Sequence, residues 1–501
     1  MKNVICFFSI LMVGLSLFGA DTKRGKVITY PVPESEIVYG SYRVAANGKP
    51  VKLYKALSPK FEGGEYYFCY FDFEGEVEVW VHSTKPFYEK QFDGHTANRN
   101  TKHDFGKYTG EVFPPTINVV SKKKHAITFK ADKPFKAVVI RAERKMPLVI
   151  FGNAIEKNPP KKGDKDVVYF GAGVHAPKDP ITLKSGQTLY LAGGAVVKAP
   201  IVVRNAKDVK ICGRGIISSE NRERGMAGVG RVFESENVIV EDVIFKDAAG
   251  WSFAIYNSKN VVLDNVKLCL GRMLNDDAID ICNSSDITIK NTFARAEDDI
   301  VAVKGIYASG HKLGRKITVD TYSKDNNLPV ENITVENCLF WTDSATIFRI
   351  GFECDAPYFR NIKCKNIYVP FYSGRSKPSD YWTRAVCLVQ PTNATKIENV
   401  RFENILVRSN GKDFNMLVAK PSIKKYGECK ECGSIENLEV KNFKVYGTKG
   451  SFKGVLCVEG EDAKHTVKNV SLENINYFGE QITEQSPLIQ KNKFTENLKI
   501  K

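Results

Sequence analysis

The chain has 501 residues, of which 43% are hydrophobic, 26% charged and 11% aromatic. This balance is typical of a folded globular protein and excludes both wholesale disorder and a collagen-like repeat. Lysine and arginine exceed aspartate and glutamate by 16 charges. Such an excess favours encounters with polyanions but does not identify one.

The first twenty residues predict a secretory signal peptide. Lys2 is their only charged residue, and an apolar run from Val4 to Phe18 precedes the small pair Gly19 and Ala20. This run is shorter than the ~20 residues that a membrane span needs, and no other stretch of the sequence qualifies. We therefore expect a secreted or periplasmic protein with no membrane span.

Residues 21–157 predict an antiparallel β-sandwich. Two stretches, EYYFCYFDFEGEVEVWVHS from Glu65 and HAITFKADKPFKAVVIRA from His125, contain runs of alternating apolar residues. Residues 158–166 follow as a polar linker with two prolines and a glycine. The sequence therefore predicts two folded domains, the second of which spans residues 167–501.

An internal repeat dominates the second domain. Each copy begins with Asn or Asp, continues with apolar residues at alternate positions, and has a second Asn or Asp at the sixth position. The copies are NVIVED from Asn237, NVVLDN from Asn260, DITIKN from Asp286, NITVEN from Asn332, NIKCKN from Asn361, NVRFEN from Asn399, NLEVKN from Asn437 and NVSLEN from Asn469. The step of 46 residues from Asp286 to Asn332 fits either two coils or one coil with a long loop.

Each copy is one short strand that cannot bury its apolar face alone. Stacked coils solve this problem, because identical positions then form parallel ladders ~4.8 Å apart with aliphatic side chains inside. Leucine-rich repeats are the competing architecture, but their Leu-x-x-Leu-x-Leu frame and helical half are missing. We therefore predict an all-β protein in which a right-handed parallel β-helix follows the sandwich.

The cysteines predict neither a disulfide scaffold nor a metal site. Of the 12 cysteines, Cys6 lies in the signal peptide, and most others lie in apolar alternating segments typical of buried thiols. Cys429 and Cys432 form a C-x-x-C pair in a polar stretch. A local disulfide fits this pair better than half of a metal site, since no second Cys or His pair lies nearby. We expect no metal and no other cofactor.

Two acidic turns, LNDDAIDIC and AEDDIVAVKG, lie in the middle of the repeat. Their acidic residues are Asp276, Asp277, Asp280, Glu297, Asp298 and Asp299. Asp277 and Asp299 are 22 residues apart, which is one coil, so stacking should bring them onto one face. Like charges there raise one pKa, and a carboxylic acid beside a carboxylate is what glycosidic bond hydrolysis requires. Turn capping and Ca²⁺ binding are the alternative roles.

These turns resemble the motifs of glycoside hydrolase family 28, the polygalacturonases. NDDAID from Asn275 is similar to Asn-Thr-Asp-Gly-Ile-Asp, and DDIVAVK from Asp298 is similar to Asp-Asp-Cys-Ile-Ala-Ile-Lys. The resemblance implies that Asp298 is the general acid, while Asp277 and Asp299 hold the attacking water in an inverting reaction. It also implies a set of substrate-binding or cleft-lining residues: Asn275, Asp276, Asp280, Trp251 and Lys304.

Two features of family 28 have no clear counterpart. SATIFRIGFE from Ser344 stands where the family has Gly-His-Gly, so Thr346 occupies the region of the missing His. The family's Arg-Ile-Lys, which grips the galacturonate carboxylate, is matched only loosely by Arg384. Within SATIFRIGFE, Arg349 and Glu353 should project to one face, where they either bind substrate or form a structural ion pair.

The architecture is closer to that of family 49, the dextranases and isopullulanases, which join an N-terminal β-sandwich to the same β-helix. Trp341 is either a platform for a sugar ring or a packing residue, and His311 is either a loop residue or a substitute for the missing His.

We expect a hydrolase of a polysaccharide or oligosaccharide, dextranase-like or isopullulanase-like on an α-glycan, with no nucleic-acid partner. A polygalacturonase-like or sulfated-galactan hydrolase, a polysaccharide lyase and a non-catalytic glycan-binding protein are the alternatives.

Overall fold

The computed structural model describes twelve ranges of the chain. They are residues 25–38, 40–61, 64–87, 110–141, 147–223, 228–306, 328–342, 344–372, 383–411, 414–423, 431–449 and 455–501. The predicted signal peptide, His311 and Cys429 lie outside them. Within these ranges the chain forms 41 β-strands and one short 3-10 helix, Glu34–Glu36, which confirms the all-β prediction. No helix in these ranges has the length and apolar character that crossing a membrane would need.

The N-terminal domain consists of two facing β-sheets. Its strands are β1 (Lys26–Ile28), β2 (Tyr42–Ala46), β3 (Lys49–Val51), β4 (Tyr54–Leu57), β5 (Glu65–Glu74), β6 (Val77–Ser83), β7 (Glu111–Phe113), β8 (Asn118–Lys123), β9 (Ala126–Ala131), β10 (Phe135–Ile140) and β11 (Leu148–Ala154). Strands β1, β4, β5, β7, β10 and β11 form one sheet, and β2, β3, β6, β8 and β9 form the other. Apolar side chains of both sheets share one core, so the predicted sandwich is confirmed.

One strand pair departs from the antiparallel prediction. β11 runs parallel to β5, with Ile150 opposite Cys69, whereas the other pairings in the two sheets are antiparallel. Parallel neighbours need a long crossover connection, and β5 and β11 are far enough apart in the chain to have one. Hairpin patterns detect only neighbours in sequence, so they could not reveal this pairing.

The second domain is a parallel β-helix. Its strands are β12 (Val167–Phe170), β13 (Gly173–His175), β14 (Ile181–Leu183), β15 (Thr188–Leu191), β16 (Ala195–Val197), β17 (Ile201–Arg204), β18 (Lys207–Gly213), β19 (Ile216–Ser218), β20 (Gly230–Phe233), β21 (Glu236–Glu241), β22 (Ile244–Lys246), β23 (Phe253–Tyr256), β24 (Lys259–Asp264), β25 (Lys267–Cys269), β26 (Ile279–Cys282), β27 (Ser285–Lys290), β28 (Phe293–Ala296), β29 (Val301–Gly305), β30 (Val330–Thr342), β31 (Phe348–Cys354), β32 (Tyr358–Val369), β33 (Cys387–Gln390), β34 (Lys396–Asn410), β35 (Asn415–Ala419), β36 (Ser434–Thr448), β37 (Val455–Val458), β38 (Val467–Tyr477), β39 (Glu480–Gln481), β40 (Ile489–Lys491) and β41 (Thr495–Ile500). Nineteen of these strands form one long sheet and eleven form a second. The predicted parallel β-helix is therefore confirmed.

Two left-handed corners bend each coil of the long sheet, and the repeat encodes both. In NITVEN, Asn332 has φ 58° and Asn337 has φ 57°. Asn and Asp tolerate this conformation better than other residues with a Cβ, which explains their places at the first and sixth positions. The asparagines also form ladders, since Asn399 Nδ2 donates to Asn361 Oδ1 at 3.1 Å and Asn437 Nδ2 donates to Asn399 Oδ1 at 2.9 Å.

The register between coils agrees with the repeat. Val261 lies opposite Ile287, so Asn260 stacks on Asp286. β27 pairs directly with β30, which decides between the two interpretations of the 46-residue step. That step is one coil with a long insertion, because β27 and β30 are directly hydrogen-bonded neighbours.

β5 joins the two domains because it is buried on both faces. Its residues from Tyr66 to Phe73 are at most 5% exposed. One face belongs to the sandwich core, and the other packs against β-helix residues that include Phe293 and Trp341. This double burial explains why EYYFCYFDF is rich in aromatic residues at successive positions, and it identifies the fully buried Trp341 as a packing residue.

The domain boundary remains a prediction with a direct test. Residues 161–166 are exposed and contain three lysines, so limited trypsin digestion should cut there and leave the β-helix domain as a fragment. Mass spectrometry of the fragments would identify the cleavage point. If trypsin cuts other sites first and leaves residues 161–166 intact, the proposed linker is contradicted.

The asparagine ladder also makes a quantitative prediction. Asn399→Ala should lower the free energy of unfolding by about 1–3 kcal/mol, because alanine is strained in the left-handed conformation and the ladder hydrogen bonds are lost. Asn399→Gly is the matched control, since glycine loses the same bonds without the strain. Urea denaturation should show a smaller loss for Gly than for Ala, and equal losses would refute the role of backbone conformation.

Candidate active site

The two acidic turns stack on each other at the N-terminal ends of β26 and β29, two neighbouring strands of the second sheet. β26 pairs with β29 so that Ile279 lies opposite Val301. The N–H of Ala278 donates to the carbonyl of Asp299 at 2.8 Å, which continues this register into the turns. Asp277 therefore lies one coil from Asp299, and Asp276 one coil from Asp298, as the 22-residue spacing predicts.

Asp298 has the properties of a proton donor. Burial, and then the nearby carboxyl groups of Asp277 and Asp299, raise the pKa of Asp298 from 3.8 to about 8. Its Oδ1 accepts the N–H of Asp299 at 3.0 Å, while Asn275 Nδ2 lies 3.4 Å from its Oδ2. A carboxyl group with this pKa is protonated at neutral pH and can donate to an oxygen in the cleft.

Asp299 is held firmly from two sides. Its Oδ1 accepts the backbone N–H of Thr346 at 3.0 Å, and its Oδ2 accepts from Nε of Arg349. Arg349 also donates from Nη2 to the hydroxyl of Thr346 at 3.2 Å. The chain thus places Arg349 and Thr346 where the family resemblance leaves a His missing, and both orient one carboxylate.

Lys304 holds a second pair of carboxylates. Its Nζ lies 2.8 Å from Asp277 Oδ2 and 2.8 Å from Asp280 Oδ1, and it lies 3.6 Å above the ring of the half-buried Trp251. Burial alone would lower the pKa of Lys304, but Asp277 and Asp280 raise it well above its ordinary value. Burial raises the pKa of both aspartates, and a neighbouring carboxylate adds to the rise, while the ammonium of Lys304 opposes it.

Asp276 and Asn275 differ in their access to a substrate. Asp276 is fully buried and accepts the backbone N–H groups of Gly271 at 2.7 Å and Glu297 at 2.8 Å. This placement argues against direct contact between Asp276 and substrate, and it makes Asp276 a structural support of the two acidic turns. Asn275 is exposed at the cleft beside Asp298, so it can contact a sugar.

A bulge in β31 separates Arg349 from Glu353. The register between β29 and β31 shifts at Gly351 and Phe352, which have φ 99° and 73°, so the regular alternation assumed from the sequence does not hold. Even so, burial raises the pKa of Glu353 while Lys304 and Arg349 oppose that rise, which places its carboxyl near the site. Among the described residues, Glu353 Oε2 has no hydrogen-bond partner. Because this oxygen is buried, a sugar hydroxyl could reach it only if the surrounding side chains moved.

Sequence reasoning missed the contribution of the N-terminal domain. Ser58 Oγ donates to Glu297 Oε1 at 3.3 Å, and Lys60 Nζ lies 3.1 Å from Ser344 Oγ. It also missed Arg295, a fully buried residue that pairs with Glu297. A charged residue in the apolar strand FARA, next to an acidic turn, was the available signal. No sequence signal pointed to the contacts of Ser58 and Lys60, because these residues are more than 200 positions before their partners in the chain.

Comparisons with known proteins agree with this fold. Residues 221–426, which contain both acidic turns, match the family model of glycosyl hydrolases family 28. All of the matched residues fall within the span of the β-helix domain. No curated protein matches the sequence.

Solved structures extend the likeness to the N-terminal domain. Dex49A from Penicillium minioluteum superposes with a TM-score of 0.60 over 94% of this chain and 96% of its own, at 12% identity. The family 28 exopolygalacturonase of Yersinia enterocolitica covers 95% of this chain and 94% of its own, with a TM-score of 0.48 and 14% identity. At such low identity the likeness to Dex49A establishes a shared fold and no more.

The geometry predicts the pH dependence of hydrolysis. The active form of Asp298 is protonated, so activity should be present below its pKa and fall as the pH rises through about 8. We call this fall in activity the alkaline limb of the pH profile. Asp298→Asn should lose at least ~100-fold in turnover and abolish the alkaline limb. Asp286→Asn, the same change at a corner of the distant asparagine ladder, should leave rate and limb unchanged. An alkaline limb that survives in Asp298→Asn would contradict the assignment.

Proposed function

We propose that this protein is a secreted glycoside hydrolase that cleaves an α-glycan with inversion, as a dextranase or isopullulanase does. The observation that carries the proposal is Asp298, a carboxyl group with a pKa of about 8 between two other carboxylates. The predicted signal peptide at residues 1–20 supports secretion. The match of residues 221–426 to a glycosyl hydrolase family supports the reaction class.

Each member of the acidic triad has one task in this mechanism. Asp298 gives its proton to the glycosidic oxygen as the bond to the anomeric carbon breaks, so the leaving sugar departs as an alcohol. Asp277 and Asp299 orient a water on the opposite face, and one of the two carboxylates takes one proton from it as its oxygen bonds to that carbon. The contacts of Asp299 with Arg349 and of Asp277 with Lys304 fix both carboxylates for this role.

The state of the cationic residues supports a neutral substrate. Arg349 is paired with Asp299, and Lys304 is paired with Asp277 and Asp280. An anionic sugar would need a cation of its own, because a charge-assisted hydrogen bond contributes roughly 1.5–3 kcal/mol. Binding a uronate through either cation would require breaking a buried ion pair, which is costly.

The second candidate function is hydrolysis of an acidic polysaccharide, by a polygalacturonase-like or sulfated-galactan hydrolase. The excess of 16 positive charges would attract such a chain, and the matching family model is that of family 28. Attraction of this kind raises the encounter rate with any polyanion, whereas a specific clamp selects the sugar that is hydrolysed. We therefore place the neutral glycan first.

The stereochemistry of the product tests the mechanism. Water between the acid and the base requires the carboxyl groups to be about 6.5–9.5 Å apart, and this arrangement inverts the anomeric configuration. Proton NMR during the first turnovers should show the inverted anomer before mutarotation. A retained anomer would exclude the roles given to Asp277 and Asp299.

A substrate panel with reducing-end detection tests the specificity. We expect hydrolysis of a dextran-like or pullulan-like glucan that changes little with added NaCl, because the substrate has no charge to screen. Strong hydrolysis of polygalacturonate or a sulfated galactan, suppressed steeply by salt, would favour the second candidate. An unsaturated product that absorbs in the ultraviolet would identify a lyase, and binding without cleavage would identify a glycan-binding protein.

A further inference from the structure

The segment between β4 and β5 of the N-terminal domain contacts the β-helix beside the catalytic turn. The N–H of Leu57 donates to Asp247 Oδ1 at 2.7 Å, and Ser58 Oγ donates to Glu297 Oε1 at 3.3 Å. Lys60 Nζ contacts Ser344 Oγ at 3.1 Å. These contacts span coils on both sides of Asp298, so one short segment ties several turns of the β-helix together.

Below this segment lies a fully buried guanidinium, that of Arg295. Its carbon lies 4.8 Å from the ring centre of Phe61, 5.5 Å from that of Tyr66 and 5.8 Å from that of Trp341. Two of these three rings belong to the N-terminal domain. The faces of aromatic rings stabilise a cation, so the N-terminal domain supplies most of the cage in which Arg295 is held.

One arm of Arg295 reaches the segment that leads into the first acidic turn, and the other reaches the second acidic turn itself. Nη1 donates to the carbonyl of Leu270 at 3.0 Å, and Nη2 donates to Glu297 Oε1. A Cβ at Gly271 would lie 1.4 Å from Nη1, so only glycine leaves room for this arm. The planar guanidinium can bond in two fixed directions, which couples the turn before Asp277 to the turn that holds Asp298.

Glu297 passes this constraint to the general acid. It directly precedes Asp298, its side chain is 2% exposed, and it is bound by Arg295 and Ser58. Its N–H is held by Asp276 Oδ1 at 2.8 Å. With its side chain and its backbone both fixed, Glu297 leaves the next residue little freedom to move.

We propose that residues 57–61 of the N-terminal domain, acting through Arg295 and Glu297, are a positioning device for Asp298. The sandwich is then a working part of the active site, and the β-helix alone lacks a correctly held general acid. None of these residues is a catalytic residue, because they act through the position and the burial of Asp298. The proposal relies on the proposed hydrolysis only for its kinetic readout.

The test compares two losses of a buried phenyl ring in the same domain. Phe61→Leu removes a wall of the Arg295 cage, whereas Phe129→Leu removes a buried ring from the sandwich core away from the β-helix. In Phe61→Leu we expect turnover to fall about 10-fold, since small displacements of catalytic groups are costly. The alkaline limb should also shift to lower pH, because a looser turn exposes Asp298 to water.

In Phe129→Leu the limb should stay in place, since a smaller folded fraction scales activity equally at every pH. Hydrogen exchange measured without substrate gives an independent readout, in which residues 296–300 should exchange faster in Phe61→Leu than in Phe129→Leu. The positioning role would be overturned if residues 296–300 exchanged at the same rate in the two variants and the alkaline limb lay at the same pH in both. If no glycan is hydrolysed, the proposed function fails, and the exchange comparison still decides this inference.

Discussion

The register between neighbouring coils is the constraint on which the rest of this structure depends. Left-handed corners at Asn and Asp make each coil turn at the same two positions, and the ladder bonds between them prevent a slip by one residue. A slip would move every aliphatic side chain from the inside to the outside. The same register places Asp277 one coil from Asp299, so the force that builds the core also builds the site.

This placement has a large electrostatic cost that the site puts to use. At an effective dielectric constant of ~20, a like charge about 8 Å away costs about 2 kcal/mol, equivalent to about 1.5 pKa units. Burial adds to this cost, and the chain relieves it unevenly. Lys304 and Arg349 neutralise the neighbours of Asp298, while Asp298 has no ion-pair partner among the described residues and keeps its proton instead. The proposed division into one acid and two bases follows from where the cations lie.

Much of this could be predicted from the sequence, because the relevant signals are periodic. The Asn and Asp spacing determines the strands, the corners and the register of Asp276, Asp277, Asp298 and Asp299. Structural features that do not repeat along the sequence were missed or misjudged. The bulge at Phe352 breaks the alternation that seemed to align Arg349 with Glu353, Asp276 turned out to face backbone amides, and the contact of Ser58 with Glu297 joins residues 239 apart.

The central claim is that Asp298 holds a proton at neutral pH. Carbon-13 NMR of protein labelled at the aspartate carboxyl carbons would measure this without any substrate, with the Asp298→Asn variant used to assign the resonance. The account predicts that the Asp298 carboxyl titrates near pH 8. Titration in the ordinary aspartate range, near pH 4, would contradict it.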